Sequence, residues 1–159
     1  MLQVINFGAP MAVIEQFIEI AASPNDVFLF FVPQRMPYWY GAEMASEFEV
    51  SGGASDFAVS QKVRITGKIG KKEISHTAVI TRYEWLRLLE WRFEDAYGVR
   101  GLERWQLEPS ATGTRVTMRS EYEMPGRFGR AINRLITRHA VARRNREYLA
   151  RLRKFAERH

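Results

Sequence analysis

The chain has 159 residues, 46% of them hydrophobic and 13% aromatic, which suits one globular domain with a sizeable core and excludes a disordered chain. It has no cysteine, which removes disulfides, thiolate metal ligands and cysteine nucleophiles. Of the net charge of +6, residues 127–159 carry eleven basic and two acidic side chains, so the basicity belongs to the C-terminal segment and the rest of the chain is acidic.

Residues 1–11 include Gly8 and Pro10 and have no basic stretch ahead of an apolar run. They read as an N-terminal extension rather than a secretory signal, and 12–159 as the domain. The apolar runs fall short of the roughly 20 residues that span a bilayer, so the expected compartment is the cytoplasm.

Strand patterning then dominates to about residue 123. Ile14, Ile18 and Ile20 alternate with Glu15 and Glu19, the period of a sheet with one wet face. Ser23-Pro24-Asn25-Asp26 starts a helix, with Ser23 as N-cap and Pro24 in the first turn. Pro33 ends that helix, and Pro37 leaves room for a second short one. Met44, Phe48 and Val50 oppose Glu43, Glu47 and Glu49. Further strands are predicted near 58–66, 72–83 and 99–108, with Leu89, Trp91 and Phe93 alternating between the last two. In the last strand Val116, Met118 and Tyr122 oppose Arg115, Thr117, Arg119 and Glu121. Gly52-Gly53, Gly67 with Gly70, Tyr97-Gly98 and Pro109 to Gly113 supply short turns, so neighbouring strands pair as antiparallel hairpins.

After Pro125-Gly126 a long helix is predicted, with the stripe Phe128, Ile132, Leu135, His139, Ala142, Leu149, Leu152 and Ala156 and the arginines around it. The sheet's apolar face and this stripe each need cover, so they cover one another. The fold class is α+β: a curved antiparallel sheet of seven strands around a long C-terminal helix, with two short helices after the first strand.

Several local motifs carry a resemblance. Glu19-Ile20-Ala21-Ala22-Ser23-Pro24-Asn25-Asp26-Val27-Phe28, then Pro37-Tyr38-Trp39, then Leu107-Glu108-Pro109 with Gly113-Thr114-Arg115-Val116-Thr117, resemble in order and spacing the helix-grip superfamily (SRPBCC). This superfamily includes the START lipid-transfer domains, the Bet v 1 pollen allergens and, most similar, the bacterial polyketide cyclase/dehydrase-like proteins. The resemblance implies a cavity between sheet and helix that takes a hydrophobic or amphipathic small molecule or lipid. It implies no common catalytic set.

Strand parity selects the polar side chains facing that cavity: Gln61, His76, Glu103 and Ser120, with His139 on the helix stripe. A buried carboxyl with a neighbouring imidazole outlines an acid/base pair, so Glu103, His76 and His139 are the catalytic candidates for a cyclase or dehydratase. The alternative makes the histidines ordinary core or rim residues and pairs Glu103 with an arginine such as Arg100. Trp39, Tyr40, Trp91, Trp105, Met118, Tyr122 and Leu135 complete the expected lining, with Trp39 and Tyr40 at the cavity mouth. Three histidines without ligand spacing predict no metal, and no phosphate loop or nucleophile elbow predicts a cofactor. Arg143-Arg144-Asn145-Arg146 and the other helix arginines are expected to pair with acidic residues of the sheet; weak contact with an anionic membrane surface stays open, and nucleic acid is not the expected partner.

Overall fold

The computed structural model describes residues 12–95, 98–123 and 131–158, with the backbone only at 131–134. The N-terminal extension, Tyr97, Pro125-Gly126, Phe128 and the Ile132 side chain lie outside the described residues.

The chain runs β1 (Ala12–Ile20), α1 (Pro24–Phe28), two single turns of 3-10 helix, β2 (Glu47–Val50), a third such turn, β3 (Lys62–Ile69), β4 (Lys72–Glu84), β5 (Leu88–Asp95), β6 (Arg100–Ser110), β7 (Gly113–Glu123) and α2 (Ala131–Ala156). The seven strands form one antiparallel sheet in the order β1-β7-β6-β5-β4-β3-β2. Six consecutive strands pair by hairpins, and β1 returns beside β7. The described architecture is the helix-grip fold.

Register sets the inner face. Across the sheet Ile14 stands opposite Ser120, Ser120 opposite Glu103, and Glu103 opposite Trp91. One step further Tyr122 stands opposite Gly101, and Gly101 opposite Phe93. Side chains alternate faces along a strand, so these rows share the concave side. A bulge at Thr81 lets both Ile80 and Tyr83 reach that side, opposite Trp91 and Leu89.

Gly113 turns β6 into β7 with φ +146, and a Cβ there would meet the Ile20 carbonyl oxygen and Ala22 backbone within 2.7 Å. Only a residue without a side chain lets the hairpin lie this close to the end of β1.

β3 begins at Lys62, four residues after the predicted start. Ser60 takes a left-handed backbone, φ 70, and breaks the alternation before it. β2 likewise begins only at Glu47, because Ala45 has φ 49 and Met44 belongs to a 3-10 turn.

Ser23 caps α1 as expected, its hydroxyl accepting from the Asp26 N–H at 3.3 Å with Pro24 in the first turn. Ser23→Ala is expected to lower stability by about 1 kcal/mol, read in urea denaturation.

From Phe28 to Tyr40 the chain folds inward and fills one half of the concave side. Phe28, Phe31, Met36, Trp39, Tyr40, Trp91 and Trp105 are all buried. Trp91 and Trp105 meet edge to face at 4.8 Å, and Trp39 meets Trp105 at 5.8 Å.

The C-terminal half of α2 closes this core with Asn145, Tyr148, Leu149, Leu152 and Ala156. Its end is tied to β1 by Glu157, which accepts from the Ala21 N–H at 2.9 Å. The expected stripe fails in the other half: Leu135 is 57% exposed, Ile136 62%, and His139 is exposed as well. Only from Ala142 onward does α2 present its apolar stripe inward. There the Gln16 amide donates to the Ala142 carbonyl at 3.1 Å.

Candidate functional site

The concave side is packed at one end and open at the other. Beyond the Trp91–Trp105 pair, the inward-facing Ile74, His76, Phe93 and Gly101 are only half-buried. A groove of about 740 Å³ lies between the Met44 turn and the tips of β3 and β4, with Gly67 and Ile74 in its lining. Gly67 is required there, because a Cβ would come within 2.8 Å of the Met44 Cβ.

Against the packed core sits a charged pair. Glu103, 1% exposed, accepts through Oε1 from Arg144 Nη2 at 3.1 Å. Arg144 also donates to Asn145 Oδ1, from Nη2 at 3.1 Å and from Nε at 3.3 Å. Asn145, fully buried, donates in turn to the Ser120 hydroxyl at 2.8 Å. The Arg144 guanidinium lies 5.3 Å from the Tyr148 ring, which meets Tyr40 at 4.8 Å with the two planes tilted by 48°. Tyr148 donates to Glu43 Oε1 at 2.9 Å, and Arg151 holds the other Glu43 oxygen at 3.1 Å. Interior carboxylate, helix cations and surface carboxylate thus form one network across sheet, helix and turn.

Burial works against the Arg144 charge, but Glu103, Tyr40 and Tyr148 outweigh it and hold the guanidinium firmly protonated. Burial, aided by the Glu103 charge, pushes the Tyr40 phenol well above the ordinary tyrosine range. Burial raises Tyr148 as well, against the opposing pull of Arg144. Burial likewise raises Tyr122, which feels Arg138 and Arg144. His76 is lowered below 6.5, chiefly by burial and further by Arg144, with Glu103 and Asp95 pulling the other way.

The His76 shift has a stability consequence. Below about pH 6.5 the unfolded chain binds a proton that the folded chain refuses, so stability is full above that pH and falls as pH drops through the folded value. His76→Asn is expected to flatten this part of the pH profile, read as midpoints of chemical denaturation between pH 5 and 7.5.

The structure distributes the candidate residues unevenly. His76, Trp91, Glu103, Trp105, Met118, Ser120 and Tyr122 face the concave side. Trp39 and Tyr40, expected at a cavity mouth, are buried in the core instead, at 0% and 2% exposure. The Trp39 indole N–H donates to the Phe30 carbonyl at 2.9 Å and draws that segment inward. Gln61 turns to its own loop, accepting from the Ala58 N–H at 3.1 Å. Leu135 and His139 lie on the exposed side of α2, away from the Glu103 network. Glu103 pairs with Arg144 and not Arg100, which lies 3.8 Å from Glu94.

The expectation that the helix arginines pair with acidic residues of the sheet holds for Arg144. Arg151 reaches Glu43 on the turn before β2, and Arg143 pairs within α2 with Glu147 at 3.3 Å. Among the described residues no group of three His, Asp or Glu side chains could hold a metal ion. No helix among them is long and apolar enough to cross a membrane.

Arg144, Asn145 and Tyr148 are site residues that strand parity could not supply. The signal available was helical: Leu149, Leu152 and Ala156, extended backward by steps of three and four, land on Tyr148 and Asn145. A buried Asn in an apolar stripe needs a partner, and Ser120 is that partner.

Comparison with solved structures returns the same fold at low identity. The protein of unknown function SA2116 from Staphylococcus aureus is 12% identical with a TM-score of 0.77, over 96% of this chain and 98% of that one. Ara h 8.0201 is 8% identical with a TM-score of 0.72, over 94% of this chain and 100% of that one. DynU16, from the dynemicin biosynthetic locus, is 16% identical with a TM-score of 0.66, over 91% of this chain and 47% of that one. No curated protein matches the chain. The family model described as polyketide cyclase / dehydrase and lipid transport matches residues 11–157, and with the sheet and helix described above the chain belongs to that family.

Proposed function

We propose that the protein binds, and in the simplest case carries, a hydrophobic or amphipathic small molecule in a hollow between the sheet and α2. One observation carries this reading: inward-facing Ile74, His76 and Phe93 are only half-buried, on the same face of the sheet as the buried Glu103–Arg144 pair. Apolar walls with a few convergent polar groups are the ordinary makeup of a small-molecule site. The test uses anilinonaphthalene sulfonate. Saturable binding at one probe per chain, displaced by an aliphatic alcohol or a polycyclic phenol, is expected. Failure of the probe to bind would remove the reading.

A second reading, a cyclase or dehydratase acting on a polyketide-like or aromatic substrate, has one observation in its favour. His76, with its pKa lowered and no described hydrogen-bond partner, can accept a proton, and it faces the same side of the sheet as Glu103 and Tyr122. Incubation with an aromatic poly-β-ketone and mass spectrometry tests it: water loss that depends on His76 supports catalysis, and equal rates for the wild type and His76→Asn end it.

The outer face of α2 supports contact with an anionic membrane surface, since Leu135 and Ile136 are exposed among Arg138, Arg146 and Arg153. Sedimentation with phosphatidylserine vesicles at low salt, abolished at high salt, is the expected result; equal sedimentation with neutral vesicles would contradict it.

A further inference from the structure

Five buried polar atoms of the inner face have no hydrogen-bond partner among the described residues: Glu103 Oε2, Tyr122 OH, Trp91 Nε1, Trp105 Nε1 and Gln16 Oε1. Each such atom costs about 1–3 kcal/mol when left alone, so they need an occupant that completes them. Four of them are not scattered. Trp91 is the cross-strand partner of Glu103, and Trp105 is two residues along the same face of β6. Tyr122 lies two residues beyond Ser120, the other cross-strand partner of Glu103. Four of the five therefore belong to residues within two positions of Glu103 across β5, β6 and β7, and Gln16 lies farther off, on β1.

The charges already present restrict what can enter. Glu103 Oε1 is held by Arg144, and Arg144 turns two of its nitrogens to Asn145. The cation is already met, and what lacks a partner among the described residues is the second carboxylate oxygen, buried in the interior. An incoming carboxylate or phosphate would approach that oxygen in a poorly solvated place, where like charges repel strongly. An ether or ester would offer an acceptor to an acceptor. A neutral hydroxyl offers what both unmatched groups need, a donor for Glu103 Oε2 and an acceptor for the Tyr122 O–H.

We propose that Glu103 Oε2 and Tyr122 OH form a subsite for a neutral hydroxyl group, so that the bound molecule is an apolar or aromatic alcohol or phenol inserted hydroxyl-first. The proposal rests on the reading of the hollow as a ligand site. It assigns polarity to the ligand's leading end, which the apolar walls leave undetermined. Glu103 and Tyr122 then act as specificity groups, because a site built around a ligand hydroxyl rejects the analogue that lacks its donor.

Three probes with one ring system separate the cases by titration calorimetry: β-naphthol, its methyl ether and β-naphthoate. β-Naphthol is expected to bind about 10-fold or more tightly than either of the others. Tyr122→Phe is expected to weaken β-naphthol by about 3- to 10-fold and leave the methyl ether unchanged. In Glu103→Gln the amide can donate as well as accept, so the preference for naphthol over its ether should collapse. Because the readout is a ratio between two ligands on one protein, a general loss of folded material does not imitate it. Equal affinity of β-naphthol and its ether in the wild type, or tighter binding of naphthoate, overturns the hydroxyl subsite. In that case the ligand reading survives and a resident water fills the orphaned groups. If anilinonaphthalene sulfonate saturates at one per chain and none of the three displaces it, the subsite falls alone. If the sulfonate also fails to bind, both fall.

Discussion

Arg144→Met is expected to lower the stability of the protein by about 2–3 kcal/mol, a fall of roughly 6–9 °C in the thermal midpoint for a domain of this size. The cause is the carboxylate left behind. Glu103 has a side chain only 2% exposed, and without the guanidinium its charge has no counterpart among the described residues. Breaking a buried pair by removing one partner commonly costs more, about 3–5 kcal/mol. The smaller figure applies here because the Arg144 side chain is 35% exposed, and solvent screens its part of the interaction. Combining Arg144→Met with Glu103→Leu is expected to recover most of the loss, since an apolar pair of similar volume leaves no unpaired charge. A thermal-denaturation cycle of wild type, both single variants and the double variant measures this coupling. Strict additivity of the two single effects would place the stabilisation elsewhere.

Trp105→Ala is expected to have the larger effect, about 3–5 kcal/mol, or roughly 10–15 °C in the thermal midpoint. Trp105 is fully buried and meets Phe31, Trp39, Tyr40 and Trp91 at ring distances of 4.8–6.3 Å. Its removal leaves a void between α1 and the sheet that rigid aromatic neighbours cannot refill. Trp85→Ala, at a residue 61% exposed that touches Phe28 at its edge, provides the contrast and should cost under about 1 kcal/mol. Urea denaturation of the two variants under one condition checks the difference. Comparable losses would mean that the aromatic cluster is not the mechanical centre of the fold.

The two substitutions probe different levels at which the sequence encodes the molecule. The sheet is legible because its code has a period of two: Leu89, Trp91 and Phe93 against Glu90, Arg92 and Glu94 needs no knowledge of neighbours to place Trp91 inside. The same parity correctly put Glu103, Ser120 and Tyr122 on one face. It failed at Gln61, because the left-handed Ser60 interrupts the pattern and frees that side chain to cap its own loop.

The helix was half legible. Leu149, Leu152 and Ala156 point inward as their spacing implies, whereas Leu135 has the right spacing and no described surface against it. Periodicity reports which residues share a side of a helix, not how far the sheet extends beneath them. The Glu103 partner was not legible at all. Choosing Arg144 over Arg100 requires the rotation of α2 on the sheet, which is a tertiary quantity. Trp39 and Tyr40 were misplaced for a related reason: the prolines at 33 and 37 mark a loop, but the Trp39 bond to the Phe30 carbonyl turns that loop into core.

Four indole N–H groups make the central claim directly measurable, since the chain has four tryptophans and each gives its own indole resonance. A nitrogen–proton correlation spectrum recorded during titration with β-naphthol should move the Trp91 and Trp105 signals, whose N–H groups are buried without a partner among the described residues, on the face of the sheet that carries Glu103. The Trp39 signal, held by Phe30, and the Trp85 signal at the surface should stay in place. Movement of Trp85 alone, or of no indole signal while the phenol binds, would contradict a ligand site between the sheet and α2.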